Sequence, residues 1–133
     1  MSDATSPMIG GLTPYITVRG AVAAAEFYKR AFAAEEMART PDGDRLIHCH
    51  LRINGSHLMM SDEFPEYGHD MGGGPSGVTL HLQVKDPREW WDRAVEAGAT
   101  VAMPMAVQFW GDEYGQLRDP FGHTWSIGGP AKG

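Results

Sequence analysis

Apolar and polar residues in this 133-residue chain alternate first with the period of a strand and then with that of a helix. Residues 13–18 alternate one by one, which predicts a half-buried strand. The stretch AVAAAEFYKRAF then places apolar side chains three and four positions apart, which predicts an amphipathic helix. Its apolar positions are Ala24, Phe27, Tyr28 and Ala31.

Three strands are predicted after this helix, at residues 35–39, 45–53 and 57–62. Asn54 and Gly55 separate the last two strands. Because both residues tolerate a positive φ, the pair is a strong signal for a β-hairpin. The alternation along the middle strand predicts that Ile47 and Cys49 point towards the helix, and that His48 and His50 point to the opposite face.

The second half repeats the pattern, with Thr79 in the place of Thr13 and Val84 in that of Val18. A strand at residues 77–84 leads into a helix that Asp86 caps and Gly98 ends. The predicted apolar stripe of this helix consists of Trp90, Trp91, Ala94 and Val95. Three further strands are predicted at residues 100–103, 113–118 and 124–128.

This pattern predicts an α+β fold in which two βαβββ modules form a curved mixed sheet. The helices cover one face of the sheet, and the other face lines a cup. We expect a single domain over residues 9–129. Within it we expect a first module at 9–64, a flexible linker or lid at 65–76 and a second module at 77–129. A disordered tail at 1–8 precedes the domain, and a tail at 130–133 follows it.

The net charge limits the expected partners, and the cysteine content indicates the expected compartment. Seventeen acidic residues against eleven basic ones give a net charge of -6, the wrong sign for binding nucleic acid or an anionic membrane. We therefore expect a small organic partner, cationic or neutral. Cys49 alone cannot form an intrachain disulfide, and the sequence has neither a signal-peptide pattern nor a long apolar run, so we expect a cytoplasmic protein.

Several stretches resemble the vicinal oxygen chelate superfamily, which contains glyoxalases, ring-cleaving dioxygenases, fosfomycin-modifying enzymes and bleomycin-binding proteins. They are TPYITV with AAEFYKRAF, and the DPFGH turn. LRINGSHLMMSDEFPE, VTLHLQV and QFWGDEYGQLRDPFGHTWSI look like its PhnB-like branch. The resemblance covers about residues 9–129 and implies the two-module fold and a homodimer. It does not fix the activity, because one fold hosts many chemistries.

In metal-using members of this superfamily, four ligands project into the cup. By spacing, the resemblance places these positions on Thr13, Met59, Thr79 and Ser126. Two threonines, a methionine and a serine lack the imidazole and carboxylate groups that divalent ions of this kind prefer. We therefore expect no metal at these positions and no other cofactor.

Histidines are the strongest candidates for other chemistry. His48 and His50 share one strand face, and His81 faces the cup from the second module. They could line a polar cavity, contact a ligand or act as acid and base, or form an alternative metal site. Three further histidines are expected to be exposed or structural, namely His57, His69 and His123.

Aromatic and acidic residues add two further candidates. Trp110 and Tyr114, near Gln116, offer flat surfaces with oriented hydrogen-bonding groups, which suits a planar ligand but equally suits a core or dimer contact. The acidic residues Asp62, Glu63 and Glu66 are expected to be solvated, or to attract a cationic ligand at the rim of the cup.

The function expected first is metal-independent binding of a small organic molecule in the cup. The expected ligand-binding residues are Tyr15, His48, His50, Met59, Thr79, His81, Trp110, Tyr114, Gln116 and Ser126. The alternative is an enzyme of the same fold, a lyase or isomerase that uses cup-facing histidines as acid and base or as unorthodox metal ligands.

Overall fold

The computed structural model describes residues 10–131. The expected tail at residues 1–8, and the last two residues of the tail expected at 130–133, lie outside this part of the chain. No helix within residues 10–131 is long and apolar enough to cross a membrane.

The described residues form two modules with the same order of elements. The first contains β1 (Tyr15–Val18), α1 (Ala21–Phe32), β2 (Glu35–Asp42), β3 (Arg45–Ile53) and β4 (Ser56–Asp62). A short 3-10 helix follows at Pro65–Tyr67. The second contains β5 (Thr79–Gln83), α2 (Pro87–Ala97), β6 (Thr100–Val107), β7 (Asp112–Arg118) and β8 (Thr124–Pro130).

Each module forms a mixed four-stranded sheet, in the order β1-β4-β3-β2 or β5-β8-β7-β6. The first strand of each module pairs in parallel with the last, and the other neighbours are antiparallel. The predicted α+β class with two βαβββ modules is therefore confirmed. The strand β8 runs to Pro130, one residue beyond the end predicted for the second module.

Both helices bury one side against their sheets and pack against each other. All four predicted apolar positions of α1 are buried. In α2, Pro87, Trp91 and Ala94 are buried at helical spacing, but Val95 is 39% exposed. The predicted stripe was wrong at Val95 because each residue turns a helix by about 100°, which carries Val95 past the edge of the buried side.

Two buried aspartates fix the junctions between elements. Asp62 accepts hydrogen bonds from the backbone N–H groups of Gly20 (2.7 Å) and Ala21 (2.9 Å) at the start of α1. It also accepts one from Leu46 N–H at 2.7 Å. The expectation of a solvated Asp62 was therefore wrong: its carboxylate is 4% exposed and caps a helix.

Asp119 has the corresponding role between the modules. One carboxylate oxygen, Oδ1, accepts hydrogen bonds from Phe121 N–H and His123 N–H within the last turn, at 2.8 and 3.0 Å. The other, Oδ2, accepts from Tyr28 O–H at 2.5 Å and from Trp125 Nε1–H at 2.8 Å. Because Tyr28 lies on α1, this carboxylate joins the first module to the second.

Candidate functional site

The side of each sheet that faces away from the helices carries the candidate residues, and we call these sides the module 1 face and the module 2 face. Three cross-strand partners lie side by side on each. On the module 1 face they are Tyr15, Met59 and His50. On the module 2 face they are His81, Ser126 and Gln116.

On the module 1 face, the Tyr15 hydroxyl lies 3.2 Å from His48 Nδ1, and burial raises the pKa of Tyr15. His50 Nε2 lies 2.8 Å from His57 Nδ1. Burial lowers the pKa of His50, and the nearby His57 and His48 lower it further. His57 therefore has a defined partner among the candidate residues.

Ile47 also lies on the open side and is 49% exposed. The prediction that it points towards α1 was wrong, because Leu46 takes the buried position there. The pairing of β3 with β2 shifts between Thr40 and Pro41, next to this point. A shift of this kind moves the alternation by one residue. Cys49 is buried on the helix side as predicted, and burial raises the pKa of its thiol to about 11.

A cavity of about 420 Å³ opens over the module 1 face. This volume lies in the range of sites for small organic ligands. Its wall combines aromatic and aliphatic surface with a few hydroxyl, imidazole and carboxylate groups. The lining residues are Tyr15, Asp42, Ile47, Ser61, Phe64, Tyr67 and His69.

Residues 64–71, which we call the cover segment, form part of this wall. Phe64 and His69 pair backbone to backbone, and His69 Nε2 lies 2.9 Å from Ser61 Oγ and 3.2 Å from Thr17 Oγ1. The Arg45 guanidinium lies 4.1 Å from the ring centre of Phe64 and pairs with Glu66 at 2.6 Å. The start of the predicted linker is thus tied to β1, β3 and β4.

Two acidic residues considered as attractants for a cation already have partners. Glu63 pairs with Arg19 at 2.5 Å and accepts a hydrogen bond from Met71 N–H at 2.8 Å. Glu66 pairs with Arg45. In both cases the hydrogen bond from arginine is the main cause of a lowered carboxylate pKa. Asp42 is the cross-strand partner of Arg45, and it lines the cavity itself.

On the module 2 face, four polar side chains form a continuous chain of hydrogen bonds, from Asp112 through Gln83 and His81 to Ser126. Asp112 Oδ2 accepts from Gln83 Nε2–H at 3.2 Å, so the amide oxygen of Gln83 faces His81 Nε2, at 2.8 Å. That oxygen can only accept, and Nε2 must therefore carry the imidazole proton. In neutral His81 the other nitrogen, Nδ1, then accepts from Ser126 O–H at 2.7 Å.

A row of aromatic rings leads from His81 to the rim. His81 stacks on Tyr114 with ring centres 5.8 Å apart, and Trp110 meets Tyr114 edge to face at 6.0 Å. Gln116 donates a hydrogen bond from Nε2 to the Tyr114 hydroxyl at 3.1 Å, which leaves the hydroxyl proton of Tyr114 able to point elsewhere. The aromatic segment predicted as a ligand surface therefore borders His81.

The four positions implied for a metal do not fit one. Thr13 and Thr79 offer neutral hydroxyls, Met59 offers a thioether, and the Ser126 hydroxyl is already bonded to His81. No group of three or more His, Cys, Asp or Glu side chains within residues 10–131 is arranged to hold a metal ion. The absence of a bound metal at these four positions in the native protein stays a prediction.

The structure thus divides the predicted site residues into two groups. Tyr15, His48, His50 and Met59 belong to the module 1 face, and the remaining six belong to the second module. Sequence reasoning missed His69, Ser61 and Phe64 as parts of the cavity wall. One signal in the sequence could have indicated them. The stretch FPEYGH contains two aromatic residues, Phe64 and Tyr67, and a fully solvated linker usually lacks such residues.

Paired βαβββ modules with open sheet faces define the class of protein. A model of the Glyoxalase/Bleomycin resistance protein/Dioxygenase superfamily matches residues 10–127, and the chain belongs to this superfamily. An uncharacterized protein of Mycobacterium tuberculosis (strain ATCC 25618 / H37Rv) is 45% identical over 129 residues, which cover 91% of this chain and 75% of that protein.

Solved structures share the fold. A gene product of Arabidopsis thaliana is 29% identical, with a TM-score of 0.69, and the match covers 90% of this chain and 98% of that one. A Bacillus cereus PhnB protein, described as a putative 3-demethylubiquinone-9 3-methyltransferase, is 20% identical, with a TM-score of 0.70 and coverage of 90% and 99%. The second similarity concerns the fold alone.

Proposed function

We propose that this protein binds a small organic molecule, without a metal, in the cavity over the module 1 face. The cavity is the single observation that carries the proposal. Its volume of about 420 Å³ suits a ligand of one or two rings, and Ile47, Phe64 and Tyr67 offer apolar surface for them. Groups such as the Tyr15 hydroxyl and the His69 imidazole can orient the ligand.

The choice between a cationic and a neutral ligand turns on Asp42. With Glu63 and Glu66 bonded to arginines, Asp42 is the carboxylate that lines the cavity. We propose that a ligand amine or ring nitrogen faces it. Membership of the PhnB-like branch belongs to the same proposal and rests on the stretches quoted for it above.

The test uses four probes added one at a time to isotope-labelled protein: benzylamine, quinoline, indole and benzoate. We expect benzylamine or quinoline to bind and to shift the backbone amide signals of Ser61 and Phe64. Replacing Ile47 by Trp should remove this binding, because the indole projects into the cavity. Val101→Trp is the matched control, since Val101 is similarly exposed (44%) but lies on β6. Absence of binding by all four probes, or equal binding by Ile47→Trp, would refute the proposal.

A homodimer is also proposed, in keeping with the superfamily. It is supported by large apolar side chains exposed near the β6–β7 turn, where Val107 is 62% and Phe109 97% exposed. Sedimentation should show a dimer in the wild type, and Phe109→Asp should shift it towards monomer. A monomeric wild type would contradict this part of the proposal.

One observation favours a second candidate function, an acid–base enzyme centred on His81. The hydrogen bonds from Asp112 through Gln83 place the proton of neutral His81 on Nε2, so Nδ1, which accepts from Ser126 O–H, is the nitrogen that can take up a proton through that hydroxyl. A suitable probe is the hemithioacetal of methylglyoxal and glutathione, in the presence of EDTA. Turnover that falls at least tenfold in His81→Ala would support the enzyme, and no turnover by the wild type would count against a glyoxalase-like activity.

A further inference from the structure

The β3–β4 hairpin brings two imidazoles and a thioether together on the module 1 face. His57 and Met59 are two residues apart on β4, so their side chains point to the same side of the sheet. His50 on β3 is the direct cross-strand partner of Met59 and lies diagonally from His57. Directly paired residues have Cβ atoms about 5 Å apart, within contact range of a methionine side chain. All three side chains are half-buried.

The two imidazoles already point ring nitrogens at one another. His50 Nε2 and His57 Nδ1 are 2.8 Å apart, and the ring planes are inclined at 46°. A metal ion with bonds of about 2.0 Å to both nitrogens, at a trigonal angle, needs them roughly 3.5 Å apart. Small side-chain rotations provide this opening. The ring protons can then sit on His50 Nδ1 and His57 Nε2, so binding needs no net loss of a proton.

We propose that His50, His57 and Met59 form a binding site for a single monovalent copper ion, Cu(I). Thioether sulfur is a soft ligand that favours Cu(I), and imidazole binds copper well. Zinc and other divalent ions usually take carboxylate, thiolate or additional imidazole ligands. This site shares only Met59 with the four positions implied by the superfamily, and it does not depend on the cavity proposed for the organic ligand.

Local charge also favours a monovalent ion. Arg52 is the cross-strand partner of His57, and its guanidinium pairs with Glu35 at 2.9 Å. The Glu35 carboxylate is therefore already engaged and adds no negative ligand to the site. The three remaining donors are neutral, and neutral donors compensate the charge of a monovalent ion better than that of a divalent one.

The test is an anaerobic titration of untagged protein with Cu(I), in competition with the chelator bicinchoninate. We expect one Cu(I) per chain. Met59→Leu, which keeps the side-chain volume, and His57→Gln should each weaken binding at least tenfold. His123→Gln is the control, because it changes a partly buried histidine of the second module that lies outside the trio, and it should leave the affinity unchanged.

Two outcomes overturn the proposal. Equal affinity in wild type and Met59→Leu would show that the thioether is not a ligand. Loss of binding in Cys49→Ser would assign the ion to the thiol on the opposite side of β3. Ag(I), which has no redox chemistry under these conditions, provides a second readout: it should shift the methyl signal of Met59 in the wild type, and an unmoved signal counts against the site. Circular dichroism of each variant confirms that it is folded.

Discussion

The hydrogen bonds of Asp119 give a prediction with a defined magnitude. In Asp119→Asn, one side-chain oxygen can still accept from the turn amides. The other position becomes an NH₂ group that faces Tyr28 O–H and Trp125 Nε1–H, both of them buried. The tyrosine hydroxyl can turn and accept a bond from the new amide. The indole N–H can only donate and is left without an acceptor.

The expected cost follows from these two changes. A buried donor without an acceptor costs about 1–3 kcal/mol. Replacing the charged hydrogen bond to Tyr28 by a neutral one costs roughly 1 kcal/mol more. We therefore expect Asp119→Asn to lower the free energy of unfolding by about 2–4 kcal/mol, a large part of the usual stability of a small domain.

Urea denaturation followed by circular dichroism measures this difference. Asp44→Asn is the control, since Asp44 is exposed in the β2–β3 turn and should change stability by less than about 0.5 kcal/mol. Tyr28→Phe should cost about 1–2 kcal/mol. The double variant, Tyr28→Phe with Asp119→Asn, should lose less stability than the sum of the two single losses, because both substitutions remove the same hydrogen bond. An Asp119→Asn protein as stable as the Asp44→Asn control would refute this reasoning.

Three further predictions concern other parts of the molecule. The thiol of Cys49, with a pKa of about 11, should resist iodoacetamide at pH 8 in the folded protein and react once urea unfolds it; equal rates would contradict its burial. Gly115→Ala should cost about 1–3 kcal/mol, because the added Cβ would lie 2.6 Å from the Trp91 ring; Gly73→Ala, with open space around it, is the control, and equal stability of the two variants would argue against this contact. Arg45→Ala should speed amide hydrogen exchange across the cover segment, since it removes the contacts to Phe64 and Glu66, and unchanged exchange there would show that these contacts do not hold it.

The fold could be predicted from the sequence because its signals are local. Alternation marks the strands, and helical spacing marks α1. Asn54 and Gly55 do adopt the positive φ values, 52° and 79°, that the hairpin turn requires. The predicted correspondence between the two halves also extends to strand pairing, since Tyr15 pairs with Met59 in the first sheet as His81 pairs with Ser126 in the second. Signals of this kind depend only on neighbours along the chain.

The site could be predicted only in part because it depends on contacts between distant residues. Ile47 was assigned to the wrong face since the irregularity in the β2–β3 pairing leaves no mark in the alternation. His69 joins the cavity through Ser61 and Thr17, across a stretch that reads as a loop. The buried role of Asp62 depends on amides far from it in sequence. Periodicity carries no information on such partners.

The matching rows of the two faces have a consequence for ligand recognition. Where the module 1 face presents a phenol, a thioether and an imidazole, the module 2 face presents an imidazole, an alcohol and an amide at corresponding places. The two modules share a backbone arrangement but present different side chains, so they offer different contacts to the two ends of a bound molecule. A molecule that contacted both faces would therefore meet a different set of hydrogen-bonding groups at each end, and only one of its two orientations could match them.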